Sequence, residues 1–480
     1  MRADKDTVMR PVRHNSQNRH LLFLLSSLLL GAPREVHAGP PSQTPMSSSS
    51  AVPSQSIPPP KVLAADWTDV HLKALPVAPL VRHGDVEKHL KALREQAPDL
   101  FGLEVVGHSV EGRALYHLSL GTGARHVLLW SQMHGDEPTA TTALLDFFEY
   151  VRTHRQEPWV KRMLGELTLH AVPLLNPDGA ERFQRRNAQG IDINRDALAL
   201  QTPEARALKG LRDKLKPFIG FNLHNQSWRH AVGRTGRPAS ISLLAAAFDE
   251  KRGDNPGRVL AKKVCAVVRD AVETLAPGQV GRYDDSFEVR AFGDNMTRWG
   301  TPSVLIETGA WTSRPADAPL VRLNFVALAT ALDALATGAA EKADVARYES
   351  IPENISSGMV YVLLKDVGLF GAGGKPFTAD VGIAVTREVR RQGQQLVLDH
   401  VGKVEELGDL RTLSAIETVE GAGLFAVPLA GRTVKEGETL RLDKPGANPV
   451  ELGQPGELML LKPLQEASTY RVERLIRFDW

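Results

Sequence analysis

An α/β fold is predicted for most of this chain, with a mixed, largely parallel sheet flanked by helices and a smaller β-rich domain at the C-terminal end. Three observations predict it. From about Trp67 to Ala340, apolar runs such as "HVLLWSQM", "LTLHAVPLL", "FIGFNL" and "PSVLIET" alternate with helical patterns that start near Pro138, Pro203, Arg258 and Leu320. After about Lys342 the segments "GMVYVLLKDV", "ADVGIAVT", "QQLVLDHVG" and "TYRVERLIRF" are short, β-rich and split by glycine turns. The 480 residues, 42% hydrophobic and 24% charged, also exceed what one core usually needs.

Taken in order, residues 1–38 read as a signal peptide. A basic stretch precedes "LLFLLSSLLLGA" (21–32), and small residues near Val36-His37-Ala38 offer an exit. Export to a periplasm or to the outside is therefore expected; the alternative is a plain extension with a chance apolar cluster. Residues 39–64 open with the Pro and Ser tract "GPPSQTPMSSSSAVPSQSIPPPK", which is expected to be a tether. Residues 65–342 carry the α/β pattern and residues 343–480 the β-rich one. Within the first, Ala140, Leu144, Phe147, Phe148 and Val151 share one helical face, and Thr202-Pro203-Glu204 is a helix start with a capping hydroxyl. Cys265 is the single cysteine, so no intrachain disulfide can form, and its apolar context predicts a small buried side chain.

The net charge of +2 falls to roughly −1 without residues 1–38, which hold six basic and three acidic residues. That balance argues against nucleic acid or an anionic membrane as the main partner. The apolar stretch of the leader is too short to leave a stable membrane span in the mature chain.

In open α/β sheets, ligands bind beyond the carboxyl ends of strands. Here those ends carry chemistry. His134 and Glu137 follow the first core strand, Asn176-Pro177-Asp178-Gly179 follows the next, His224 closes "FIGFNLH" and Glu307 closes "PSVLIE". Two imidazoles and a carboxylate suffice for a catalytic zinc site that keeps a position open. Any one of these motifs is weak alone. A strand-end histidine is commonly structural, "RRNAQGIDINRD" could be a solvated loop, and Glu307 could be a buried acid paired with an arginine.

Together with "NPDGAERFQRRNAQGIDINRD" (176–196), the ordered set resembles the zinc carboxypeptidase family, the metallopeptidases typified by carboxypeptidases A and B, over roughly residues 81–340. The resemblance implies one Zn2+ per chain held by His134, Glu137 and His224, with Asp192 orienting a ligand histidine. It implies that Glu307 is the general base and that Arg185 polarises the scissile carbonyl, although the adjacent Arg186 leaves that register open. Asn194 and Arg195 would clamp a terminal carboxylate, and Tyr283 is the candidate for the tyrosine that closes over substrate. The implied partner is a peptide or peptide-like substrate with a free carboxylate, cut at its C-terminal bond.

The sequence departs from the family at Asp136, where well-known members carry arginine, and at "NQSW" after His224. An amidase or deacylase of the same architecture, or a cell-wall peptide hydrolase, is the alternative activity. A non-catalytic binding module is the third reading, against which the complete set of ligands and Glu307 argue.

Overall fold

The apolar runs form the middle of a sheet in the computed structural model, which describes residues 56–74, 80–314, 316–356, 358–371, 374–393 and 395–479. The expected signal peptide and most of the tether lie outside the described residues. Two helices come first, α1 (Pro60–Ala74) and α2 (His83–Gln96), then strands β1 (Phe101–His108), β2 (Ala114–Leu120) and β3 (Arg125–Ser131). Helices α3 (Thr139–Thr153) and α4 (Pro158–Glu166), strand β4 (Leu167–Val172), the single turn α5 (Pro177–Ala180) and helix α6 (Pro203–Leu215) follow. The chain continues through β5 (Ile219–Asn225), β6 (Ala231–Val232), β7 (Ile241–Ala245), α7 (Pro256–Glu273), β8 (Val280–Arg282), α8 (Phe292–Arg298), β9 (Ser303–Thr308) and α9 (Asp317–Thr337).

Among the described residues this sheet has eight strands in the order β1-β2-β4-β3-β5-β9-β7-β8. The inner four, β4, β3, β5 and β9, are mutually parallel, while β2 and β7 join them antiparallel. Parallel strands covered on both faces read as continuous apolar runs. Successive residues of β3 accordingly enter different cores. Val127 and Leu129 pack with α1, α3, α7 and α9, whereas Leu128 and Trp130 pack with α6 and α8. The mixed, largely parallel sheet expected from the alternation is thus the sheet observed.

Helix α3 departs from a one-faced amphipathic helix, because Thr139 through Val151 are all buried. Its far side is covered by α1, where Trp67 Nε1 and His71 Nδ1 both bond to Asp146 Oδ2 at 2.8 and 2.9 Å. The tether expected to run to residue 64 therefore stops short. From Pro60 onward the chain is helical, and Leu63, Trp67 and Val70 are buried in the main core at a spacing of three and four. Thr202 caps α6 as expected, accepting from Ala205 N, and Cys265 is fully buried in α7. Among the described residues α9 alone is long and apolar enough to cross a bilayer, and 78% of its apolar window is buried inside the fold.

The first core runs on past residue 342. Helices α10 (Ala339–Lys342) and α11 (Val345–Glu349) add Ala340 and Tyr348 to it, and Ile351 closes it. The β-rich part then follows with β10 (Asn354–Ile355), β11 (Met359–Phe370), β12 (Pro376–Gln392), β13 (Gln395–Gly408), β14 (Ser414–Glu420), β15 (Phe425–Pro428), β16 (Thr439–Arg441), β17 (Leu458–Pro463) and β18 (Thr469–Ile476). Its sheet is ordered β13-β12-β11-β15-β17-β18-β16, with β14 pairing β11 in parallel.

The described residues all belong to one compact unit. The joint between its two sheets falls on the segments that follow β5 and β9. Trp228 Nε1 donates to Val385 O at 2.8 Å, Arg229 grips Glu405 through two bonds of 2.7 and 2.8 Å, and β10 pairs with β6. After β9, Arg314 pairs with Glu417 and Asp317 with Arg387, each at 2.9 Å.

Candidate metal centre

The site is assembled where the four parallel strands end. As β3 runs out, Gln132 turns the chain with a left-handed φ of 47°, and its side chain donates to Val81 O and Gly135 O. Gly135 has no room for a side chain, since a Cβ there would lie 2.1 Å from the Gly179 carbonyl carbon. That contact lets the Asn176–Gly179 turn press directly against the segment between His134 and Glu137. Asn176 closes the turn by accepting from Gly179 N at 2.9 Å and donates to Arg185 O at 3.2 Å. The same motif that ends β4 therefore fixes where Arg185 starts.

Three buried groups converge. Glu137 Oε1 lies 2.8 Å from His134 Nδ1, Glu137 Oε2 lies 2.8 Å from His224 Nδ1, and the two Nδ1 atoms are 3.2 Å apart. Asn225 N also donates to Glu137 Oε2, at 3.2 Å. Behind this set, Asp192 Oδ1 accepts from His134 Nε2 at 3.1 Å, which fixes the tautomer and turns Nδ1 toward the cluster. Asp192 is held in turn by Arg185, whose Nε reaches Oδ2 at 3.0 Å. Arg185 Nη1 lies 3.1 Å from His134 Nδ1 and 3.5 Å from Glu137 Oε1. Arg186 bonds instead to Gly190 O on the exposed side, so of the two arginines it is Arg185 that reaches the cluster.

Glu307 joins from the neighbouring strand. In the parallel β5/β9 pair it stands directly opposite His224. It is 8% exposed, and its Oε2 has no protein partner. The two buried glutamates are driven apart electrostatically. Burial works against the charge of Glu137, but His134 and His224 overrule it and hold that carboxyl well below the usual range. Burial and then the Glu137 charge push Glu307 up to about 8. Burial likewise pushes the Tyr283 hydroxyl up to about 12, with Glu307 and Glu137 next in weight, so the phenol stands within electrostatic reach of both acids. Its ring is 6.1 Å from that of His230.

Asn194 and Arg195 occupy a single 3-10 turn, Ile193–Arg195, that Asp192 caps by accepting from Asn194 N at 2.9 Å. Arg195 does not stand without an anion. Its Nε is 3.5 Å from Glu288 Oε2, and its Nη1 donates to Asn194 O at 2.8 Å. Asn194 Oδ1 accepts from Phe292 N at 2.9 Å. Glu288 and His230 were not singled out from the sequence. Both lie in irregular segments without a motif, and only their place after a strand end could have drawn attention to them.

The donor set suits a zinc ion: two imidazole nitrogens and a carboxylate, all buried, with their ligand atoms within 4.8 Å of one another and one histidine oriented by a carboxylate behind it. Part of the chain also matches known proteins. Residues 86–231 match the model of the zinc carboxypeptidase family, a stretch that contains His134, Glu137, Asp192 and His224. The chain is 29% identical over 148 residues to carboxypeptidase 2 of Trichophyton rubrum, covering 29% of this chain and 26% of that protein. It is 29% identical over 128 residues to mouse (Mus musculus) carboxypeptidase M, covering 23% and 29%. A solved metallo-carboxypeptidase from Pseudomonas aeruginosa superposes with a TM-score of 0.41 at 20% identity, covering 52% of this chain and 68% of that one. The aligned part spans less than a third of the length of these curated relatives. The matched segment, residues 86–231, is similar to zinc carboxypeptidases and carries the three donors His134, Glu137 and His224.

Proposed function

We propose that the chain is a zinc-dependent metallocarboxypeptidase that removes C-terminal residues from peptides. The observation that carries this reading is the convergence of His134 Nδ1, Glu137 and His224 Nδ1 beside Glu307, which stands opposite His224 on the next strand. In this reading His134, Glu137 and His224 hold one zinc, which when bound supplies the Lewis acidity that activates water and polarises the scissile carbonyl. Glu307 takes the proton of the attacking water and passes it to the leaving amine. Its unpartnered Oε2 and the burial that raises its proton affinity suit that exchange. Arg185, fixed by Asp192, directs its guanidinium at the oxygen that becomes negative. Asn194 and Arg195 receive the substrate's terminal carboxylate, and Tyr283 lines the same cleft.

Export rests on the leader sequence of residues 1–38, which would deliver the enzyme to a periplasm or to the outside. The β-rich part, residues 343–480, would serve as a brace for the segments after β5 and β9.

One observation favours the second reading, an amidase or deacylase of the same architecture. Arg195 already faces a carboxylate, Glu288, so a substrate carboxylate is not needed to satisfy it. A peptide offered with a free and with an amidated C-terminus separates the two. The carboxypeptidase should release single residues from the free acid and lose about 100-fold or more in kcat/KM on the amide, the scale of a lost charge-assisted contact. Equal rates, or internal fragments, would hand the assignment to the amidase or to an endopeptidase.

A further inference from the structure

Glu288 is held where a substrate carboxylate would compete with it. Its Oε1 accepts from Arg290 N and Arg290 Nε, both at 3.1 Å, and its Oε2 from Arg290 Nη2 at 3.2 Å. The turn that carries it is docked on the turn that carries the clamp: Ala197 N donates to Arg290 O at 3.1 Å, and Phe292 N to Asn194 Oδ1 at 2.9 Å. Glu288 N donates to Asp294 Oδ1 at 3.3 Å, which closes the loop on itself. Glu288 Oε2 therefore faces Arg195 Nε as part of a built arrangement of backbone and side-chain bonds.

An anion already beside a guanidinium lowers what a second anion gains there, because part of the positive field is spent on the first. We propose that Glu288 is a built-in rival of the substrate's terminal carboxylate for Arg195, and so sets how tightly the enzyme holds its substrate. The inference rests on the carboxypeptidase reading and deepens it. The pair is only partly buried, with the two side chains 36% and 34% exposed, so the rivalry is a modest one that substrate overcomes.

The test is steady-state kinetics of the full chain on one peptide in free-acid and amidated forms. Glu288→Gln keeps the shape and removes the charge, and it should lower KM for the free acid about threefold to fivefold. The gain should appear in KM rather than kcat, be absent on the amide, and vanish when Arg195 is also changed to Ala. Arg290→Gln should move KM the other way, since Glu288 would then have Arg195 as its main cation. If Glu288→Gln fails to fold, judged by its melting temperature, the Arg290 variant decides. A wild-type enzyme that prefers the acid while Glu288→Gln leaves KM unchanged or raises it overturns the rivalry alone. Equal wild-type rates on acid and amide overturn the carboxypeptidase reading itself.

Discussion

Glu137 and Glu307 are the same side chain given opposite characters by their neighbours. Glu137 lies 2.8 Å from the Nδ1 atoms of both histidines, whose positive field favours its anion, and accepts from a backbone amide, while Glu307 is buried with one oxygen unpartnered. In the carboxypeptidase reading such a split between nearby carboxyls separates a ligand, Glu137, from an acid-base group, Glu307. Glu307→Gln should accordingly leave one zinc per chain bound while turnover falls about 100-fold or more. His224→Ala, by contrast, should release the metal from a protein that stays folded. Metal loss in Glu307→Gln, measured by elemental analysis, would mean that Glu307 is a ligand or a structural acid. At this scale the sequence was informative wherever a residue sat at a strand end in an ordered motif, as with His134, Glu137, His224 and Glu307. Glu288 escaped because its partner Arg195 is distant in the chain, and nothing local to "DDSFEVRAF" marks the pairing.

Elements were legible where their period was clean, and less so where tertiary contacts decided. Helix α1 follows a Pro and Ser tract that masks its own signal, although Leu63, Trp67 and Val70 have helical spacing and its Trp67 and His71 lock onto Asp146 in α3. A second feature unseen in the sequence crosses β1, β2, β4 and β3, where Glu104, His117, His170 and His126 form a line of bonds of 2.8, 3.0 and 2.8 Å. One proton per imidazole satisfies that line, each ring donating through Nδ1 toward Glu104. Burial lowers His117, and burial with its two histidine neighbours lowers His170 to about 4. Groups depressed below their unfolded value near 6.5 bind fewer protons in the native state, so stability rises with pH through this window. Between pH 6.5 and about 4 the fold should lose about 1–2 kcal/mol from this line, after allowing for screening. Replacing His170 with Gln should flatten that part of the pH profile in urea melts, and an unchanged slope would assign the acid sensitivity elsewhere.

For the whole molecule, the two sheets meet at the segments that leave β5 and β9, which are also the strands that carry His224 and Glu307 next to their last residues. The Trp228 bond to Val385, the Arg229 grip on Glu405 and the Arg314 and Asp317 pairs make a joint that is polar but repeated along its length. Inter-domain contacts of modest size often let their halves melt separately. Here the strand pairing of β6 with β10 crosses the joint as well, so calorimetry of the full chain should give one unfolding transition. Two resolved peaks would show that the joint does not couple the sheets. The β-rich C-terminal region was legible from the change in composition, but the position of the joint was not, because it depends on side chains such as Trp228 that lie outside any regular period.

The pairing of His224 with Glu307 across β5 and β9 also limits how this protein can be edited. Side chains of a strand alternate between faces, so adding or removing one residue in β9 before Glu307 would turn the carboxylate to the opposite side of the sheet and leave the histidine behind. A two-residue change would restore the side but shift the carboxylate along the strand by more than the width of a water. Lengthening the hairpin turn beyond Gln392, where β12 hands over to β13, disturbs no such alignment. That turn is the place to graft an affinity tag or a reporter peptide, and the seven residues of β5 with the six of β9 are where no change of length can be absorbed.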